Sequence, residues 1–224
     1  MATLVREPGS TIAEKLGAAS GAWAVVWLAI HYLILQNAVA DPALPAGDYV
    51  QALLAERMRW EWATALRVMA GIMIVWFMGS LGGRLRMAEG QPGRLASIGL
   101  GIGVIWGAVF LFSAMFNSVG IVLASQYQLP EAARLAGILA DQIVLVLSPS
   151  LAFTLALAVS FVSLRFGGFP KWYAYATLAL TVLLLALTII DWYGPGTLGS
   201  TIMVLALAWL AVTSLLVIPA YRSS

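Results

Sequence analysis

The fold of this chain is decided by two apolar stretches near its end, WYAYATLALTVLLLALTII at residues 172–190 and TLGSTIMVLALAWLAVTSLLVIPA at residues 197–220. Neither stretch contains a charged side chain. Each is close to the length of about 20 apolar residues that an α-helix needs to cross the hydrocarbon core of a bilayer. We therefore predict a transmembrane helix in each stretch.

Four comparable stretches precede these two, and together they predict six membrane spans. We place the spans near residues 18–38, 63–82, 95–116, 142–164, 172–190 and 197–219. Backbone polar groups in lipid must be satisfied within the segment, and the apolar runs are continuous rather than alternating, so helices are expected and not barrel strands. Pro149 is predicted to kink the fourth span. The predicted fold class is all-α, an integral membrane bundle of six transmembrane helices.

The composition leaves no room for a separate soluble domain. Of the 224 residues, 62% are hydrophobic and only 10% are charged, whereas a soluble domain carries about 25% charged residues. We predict one domain over residues 1–224 that is embedded in the lipid bilayer. The net charge of +2 comes from basic residues beside apolar runs, which indicates membrane orientation and no nucleic-acid partner. The chain has no cysteine, which excludes disulfides and thiolate metal sites.

The basic residues are distributed unequally between the two sides of the predicted bundle. Eight fall on the side of both termini: Arg6, Lys15, Arg84, Arg86, Arg94, Arg165, Lys171 and Arg222. Four fall on the other side: Arg57, Arg59, Arg67 and Arg134. An excess of lysine and arginine marks the cytoplasmic side, so we predict cytoplasmic termini and an outer loop at residues 39–62 with a helical part after Asp48. Trp60, Trp62 and Trp192 are predicted to join an aromatic belt at the outer interface.

The first span has a second interpretation. Arg6 and Lys15, an apolar run and the sequence Ala38-Val39-Ala40 resemble a secretory signal peptide with its cleavage site. Such a leader would end near residue 40, whereas signal peptides have about 15–30 residues. We therefore favour a first span that is retained.

Arg67 is the most unusual residue of the predicted spans. It lies inside the second span, where a charge is costly unless it reaches water or finds a partner. One interpretation is that its side chain extends outward to the interface. The other is a buried cation that binds an anionic group, with Glu61, Asp141 or Asp191 as partners near the same boundary.

His31 is the only histidine of the chain and lies in the outer half of the first span. A single imidazole cannot form the multi-histidine sites of membrane metalloenzymes, so we predict no metal site. A histidine that is hydrogen-bonded within the packing is one interpretation. A proton-handling residue in an outer cavity is the other.

The polar residues inside the predicted spans are concentrated toward the outer side. We hypothesise that five of them line an outward-facing ligand pocket: His31, Arg67, Asn117, Asp141 and Asp191. The sequence DWYGPG at residues 191–196 predicts a tight outer turn between the last two spans.

Three glycines recur every four residues in the third span, at Gly99, Gly103 and Gly107. This spacing makes a flat helix face on which another backbone can approach closely. Helix packing inside the bundle is one interpretation, and a contact between copies of the chain is the other.

Sequence motifs of catalysis and cofactor binding are missing. There is no Walker sequence, no G-x-G-x-x-G after a strand, no H-E-x-x-H and no G-x-S-x-G. We therefore predict no cofactor and no catalytic residue, and we favour a protein that is not an enzyme.

The arrangement resembles that of small multi-span bacterial inner-membrane proteins of unknown function. Three features are similar: the outer loop after the first span, the basic turn from Arg84 to Arg94, and the sequence GGFPKW at residues 167–172. The resemblance implies an integral protein of the bacterial inner membrane. It implies no functional residue.

Two functions follow as the main expectations. The first is an accessory or oligomeric membrane component, whose partner is another membrane protein or a second copy. The alternative is a binder or carrier of a small lipophilic or anionic ligand in a pocket around Arg67. A glycine face exposed on the single chain would favour the first, and a cavity that reaches Arg67 would favour the second.

Overall fold

A computed structural model of the protein describes residues 12–35, 41, 43–193 and 198–220, with side chains through residue 217. These residues form seven α-helices and no strand: α1 Ile12–Leu35, α2 Ala46–Ala55, α3 Arg57–Glu89, α4 Arg94–Ser125, α5 Pro130–Phe166, α6 Lys171–Tyr193 and α7 Gly199–Ala220. All except α2 are long and apolar enough to cross a membrane. The all-α class and the six candidate spans are therefore confirmed.

The six long helices form a closed arrangement in which neighbours along the chain are antiparallel. Helix α1 packs on α3, α3 on α4, α4 on α5, and α5 on α6. Helix α7 closes the arrangement because it packs on α6, α5 and α1. Large side chains such as Phe77, Trp106 and Phe110 fill the interior, while Trp76 and Phe112 are exposed on the outer faces. Apolar residues both in the interior and on the outer faces are typical of a bundle surrounded by lipid.

Several helices are longer than the predicted spans. Helices α3, α4 and α5 have 33, 32 and 37 residues, which corresponds to about 48–56 Å at about 1.5 Å per residue. The hydrocarbon core is only about 30 Å thick, so these helices extend beyond it. Helix α5 continues through Pro149. The candidate cleavage sequence at residues 38–40 and most of the predicted turn, residues 194–196, lie outside the described residues.

The short helix α2 covers one end of the bundle, called here the α2 end. Its residues Tyr49 and Leu53 are buried against Ile121 of α4 and Ala133 of α5. This spacing puts the two side chains on one face of the helix. Helices α1, α4 and α6 end at the α2 end, and α3, α5 and α7 begin there.

Arg84 holds the opposite end of the bundle together. Its Nε donates to the carbonyl of Gly168 at 2.9 Å, and its Nη1 donates to the carbonyl of Leu216 at 2.7 Å. Its guanidinium carbon also lies 4.0 Å from the centre of the Phe169 ring. The side chain therefore joins α3, the turn before α6, and α7.

We expect Arg84→Leu to lower the free energy of unfolding by about 2–3 kcal/mol, because hydrogen bonds to charged groups contribute about 1.5–3 kcal/mol. The measurement is unfolding in a mixed-micelle denaturant titration. Arg94→Leu is the matched control, because Arg94 lies at the same end with an exposed side chain. Equal losses for both variants would contradict the bridging role of Arg84.

Candidate functional site

Arg67 lies inside the protein and not at its surface. It is only 5% exposed, and its side chain turns toward α1, α4 and α5. It is six residues from the middle of α3, or about 9 Å along the helix axis. If α3 is centred in a hydrocarbon core of about 30 Å, Arg67 therefore lies inside that core and not at the interface with water. The outward-reaching arrangement that we considered from the sequence is not the one observed.

Ser113 connects Arg67 to two other helices. Nη1 of Arg67 donates to the hydroxyl of Ser113 at 2.5 Å. That hydroxyl in turn donates to the backbone carbonyl of Ala140 at 2.6 Å. One serine therefore links α3, α4 and α5, and its single proton is already used by a carbonyl that can only accept.

His31 gives the arginine a second partner, and the geometry determines its tautomer. Its Nδ1 lies 2.8 Å from the carbonyl of Ala63, and its Nε2 lies 2.8 Å from Nη2 of Arg67. A carbonyl can only accept and a guanidinium can only donate. The imidazole is therefore neutral, with its proton on Nδ1 and an acceptor at Nε2. This is the hydrogen-bonded arrangement that we considered for His31.

Asp141 gives the arginine its counter-ion, but the contact is long. Nη2 of Arg67 lies 3.4 Å from Oδ1 of Asp141, beyond the distance of about 2.7–2.9 Å that is usual for charge-assisted bonds. The Asp141 side chain is 48% exposed, whereas that of Arg67 is 6% exposed. The protein therefore encloses the carboxylate much less than it encloses the guanidinium.

A cavity of about 200 Å³ lies beside this cluster. Its lining comprises His31, Tyr32, Leu35, Trp60, Arg67, Asp141, Val144 and Leu145. The indole N–H of Trp60 is buried and has no hydrogen-bond partner among the described residues. Trp60 is thus part of the cavity wall and not of the lipid-facing belt that we predicted, whereas Trp62 and Trp192 are exposed.

Tyr49 of α2 reaches the same region from the α2 end. Its hydroxyl lies against Gly137, which precedes Asp141 by one helical turn on the same face of α5. Burial raises the pKa of the Tyr49 phenol, and the negative charge of Asp141 raises it further. The phenol is therefore neutral at physiological pH.

The other two residues of the predicted pocket lie elsewhere. Asn117 is buried one turn from Ser113 on α4, and no described residue accepts a hydrogen bond from its amide nitrogen. It is not among the residues that line the cavity. Asp191 accepts a hydrogen bond from the backbone N–H of Leu198 at 2.7 Å. It therefore stabilises the start of α7. The structure brings together three of the five residues: His31, Arg67 and Asp141.

The three glycines of α4 face the interior of the chain. Gly99 lies against Leu155 and Ala158 of α5. Gly103 lies against Met78, and Gly107 lies against Val75 and the carbonyl of Gly71, all on α3. This face is occupied by the chain's own helices.

Neither Ser113 nor the position of Trp60 in the site was predicted from the sequence. A serine inside an apolar run carries little signal, because its hydroxyl usually bonds to the carbonyl one turn earlier. Its position is nevertheless informative, since Ser113 precedes Asn117 by one turn and therefore shares a face with it. Trp60 lies at the boundary where tryptophan also serves as an interface residue.

Within the described part of the chain, no three histidine or carboxylate side chains are grouped so that they could hold a metal ion. The site instead offers one cation, one neutral imidazole and one carboxylate. Comparison of the chain with protein-family models, curated proteins and solved structures finds no match. Fold and site together define a multi-pass helical protein of the membrane type with a buried arginine beside a cavity.

Proposed function

We propose that this protein binds a small anionic ligand in the cavity beside Arg67. The observation that carries the proposal is a surplus of hydrogen-bond donors at a buried cation. A guanidinium has five N–H donors, and the described residues accept three of them. Buried donors are normally paired, and an oxyanion would supply acceptors for them.

The size of the cavity and its remaining walls limit the ligand. A volume of about 200 Å³ is below the range of about 300–1,000 Å³ that is typical of drug-sized ligands. Leu35, Val144 and Leu145 make the other walls apolar. A short carboxylate, with a charged end and a small apolar part, fits these properties best.

Asp141 is expected to compete with the ligand. Its carboxylate already occupies part of the guanidinium, but through one long contact and with half of the side chain exposed. A ligand carboxylate beside it would experience like-charge repulsion. The ligand must displace Asp141 from the guanidinium, and this displacement reduces the affinity.

The test is calorimetric titration of the detergent-solubilised protein with butyrate and, separately, with inorganic phosphate. We expect saturable binding of butyrate that is about tenfold tighter in the Asp141→Asn variant. The substitution removes a negative charge whose interaction at about 4 Å is worth about 1–4 kcal/mol. The asparagine oxygen still accepts from Arg67, so the cluster keeps its hydrogen bonds.

Asp191→Asn is the matched control, because Asp191 lies at the same end and bonds to Leu198. It should leave the butyrate affinity unchanged. If the wild-type protein shows no saturable binding of butyrate or phosphate, the proposal is wrong. It is also wrong if Asp141→Asn weakens binding while the variant unfolds at the wild-type temperature, because the carboxylate would then be part of the ligand's own contacts.

The accessory or oligomeric interpretation has less support. It was based on a glycine face available to a partner helix, and Gly99, Gly103 and Gly107 are packed within the chain. A cavity that reaches Arg67 was expected for a ligand binder, and such a cavity is present.

We further propose that the protein resides in the bacterial inner membrane with its α2 end outside. The unequal distribution of arginine and lysine supports this orientation. The six apolar helices support a bilayer as its environment. A cysteine introduced at Arg59, which is exposed beside Glu56 at the α2 end, should react with a membrane-impermeant maleimide in intact cells; protection of this cysteine would reverse the orientation.

A further inference from the structure

A second cavity adjoins the first and is almost entirely apolar. It is a groove of about 670 Å³ between α1 and α7. Val25 and Ala29 of α1 form one wall, and Leu207 and Ala208 of α7 form the other. Both alanines are exposed, so the groove opens on the outer face of the bundle.

The groove and the Arg67 cavity share part of their walls. Tyr32 and Leu35 line both. His31 directly precedes Tyr32 on α1, and its side chain is bonded to Arg67. The two spaces are therefore neighbours, and Arg67 lies at the level of His31, between the two ends of the apolar groove.

The length and direction of the groove fit one leaflet of a bilayer. It runs from Leu35 at the α2 end to Val25, close to the middle of α1. Ten residues correspond to about 15 Å along a helix, which is half of the hydrocarbon thickness of about 30 Å. From the level of Arg67, which His31 marks, six residues or about 9 Å of the groove remain before Val25, near the middle of the membrane.

We propose that the ligand is a long-chain fatty acid, with its carboxylate at Arg67 and its hydrocarbon chain in the groove between α1 and α7. This inference rests on the proposed function and names its ligand class. The charge in the cavity beside the groove selects an anionic lipid. The small volume beside Arg67 suits a bare carboxylate better than a phosphate that carries a glycerol. The present partner of the guanidinium, Asp141, is itself a carboxylate.

A single chain also fits the groove better than a phospholipid. The groove lies between two helices, so a second acyl chain would have to remain outside it. Lipid is as apolar as the groove walls, so the gain comes from close packing and not from leaving water. A large side chain introduced into the groove should therefore weaken binding of the hydrocarbon chain sterically, without affecting the contact between the carboxylate and Arg67.

The experiment compares hexadecanoate and butyrate binding to the protein in nanodiscs. Radiolabelled hexadecanoate is counted above the level of nanodiscs without protein, and butyrate competes for the same site. We expect Ala208→Trp to weaken hexadecanoate binding by about tenfold or more, with butyrate affinity unchanged within about twofold. Ala29→Trp, on the opposite wall, should have the same effect.

Ala179→Trp is the matched control, because Ala179 is exposed on α6 and does not line the groove. It should leave both affinities unchanged. If wild type binds butyrate but hexadecanoate binding is insensitive to both groove variants, the fatty-acid inference is overturned and the small-anion site remains. If wild type binds neither probe, the proposed function fails as well.

A bilayer phospholipid is the remaining alternative. Nanodiscs prepared with increasing amounts of phosphatidylglycerol distinguish it, because a phospholipid site would lose hexadecanoate binding in proportion to that lipid. We expect the hexadecanoate affinity to change by less than about threefold across the series. A proportional loss would overturn the assignment to a fatty acid.

Discussion

Replacement of Arg67 by leucine is expected to abolish butyrate binding, with at least a hundredfold loss of affinity. Two charge-assisted hydrogen bonds from the guanidinium to a carboxylate contribute about 1.5–3 kcal/mol each, and about 2.8 kcal/mol corresponds to a factor of one hundred. No other cation lines the cavity among the described residues. The loss should appear in calorimetric titration as an unsaturable signal.

The same variant should remain folded. Removing one partner of an ion pair is costly when the other partner stays fully buried. The Asp141 side chain is 48% exposed, so the carboxylate left behind is not a fully buried charge. Ser113 keeps its bond to Ala140. Unfolding temperature and elution volume in size-exclusion chromatography check this expectation.

Two further variants separate charge from geometry. Arg67→Lys keeps a positive charge but loses the planar fork, and we expect it to bind butyrate with an intermediate affinity. Arg59→Leu removes an exposed arginine that pairs with Glu56 at the α2 end, and it should bind as wild type does. A folded Arg67→Leu protein with wild-type affinity would remove Arg67 from the ligand site.

Substitution of Gly107 by alanine is expected to give the largest loss of stability from a single added methyl group. A β-carbon at this position would lie 2.6 Å from Cγ2 of Val75 and 2.9 Å from the carbonyl of Gly71. A side chain can rotate, but a backbone carbonyl cannot move without shifting α3 against α4. Overpacking of this kind costs about 1–3 kcal/mol, and we expect about 3 kcal/mol in a denaturant titration.

Gly101 provides the control on the same helix. A β-carbon there would have no atom within 4 Å, and alanine forms helices better than glycine by about 1 kcal/mol. Gly101→Ala should therefore be neutral or stabilising. If Gly107→Ala lowers the free energy of unfolding and Gly101→Ala does not, the close approach of α3 and α4 is the cause. Equal changes in the two variants would indicate that helix propensity dominates.

The approach at Gly107 also bears on the site. Gly71 is one turn from Arg67 on α3, and its own β-carbon would lie 2.9 Å from the carbonyl of Gly107. The contact of two glycine backbones thus sets how near Arg67 comes to Ser113 of α4. We expect Gly107→Ala to weaken butyrate binding along with stability.

Much of the fold was predictable from local composition. Lipid offers no hydrogen bonds to the backbone, so each long apolar run must form a helix, and six runs gave six helices. The helix ends were less predictable. Helices α3, α4 and α5 extend past the apolar runs, since outside the hydrocarbon core the helix no longer requires apolar side chains and leaves no hydropathy signal.

The site was predictable only in part. The depth of a residue in the membrane follows from its position along its own span, but the direction in which its side chain points does not. Counting residues along each span places His31, Arg67, Asn117, Asp141 and Asp191 toward one side. It does not tell which face of each helix turns inward. Asp191 shares the depth of the site but bonds to the start of α7. Ser113 joins the cluster because its helix, α4, packs on α3.

The sequence by itself determined the solvent, the number of spans and the depth of each polar residue, since these depend on how many apolar residues follow one another. Only the tertiary structure decided that Arg67 turns inward to His31, Ser113 and Asp141 and that the glycines of α4 face α3 and α5. It also decided that an apolar groove adjoins the cavity of Arg67. These properties depend on how the helices rotate about their axes and pack together, and that choice is made by contacts between residues far apart in the chain.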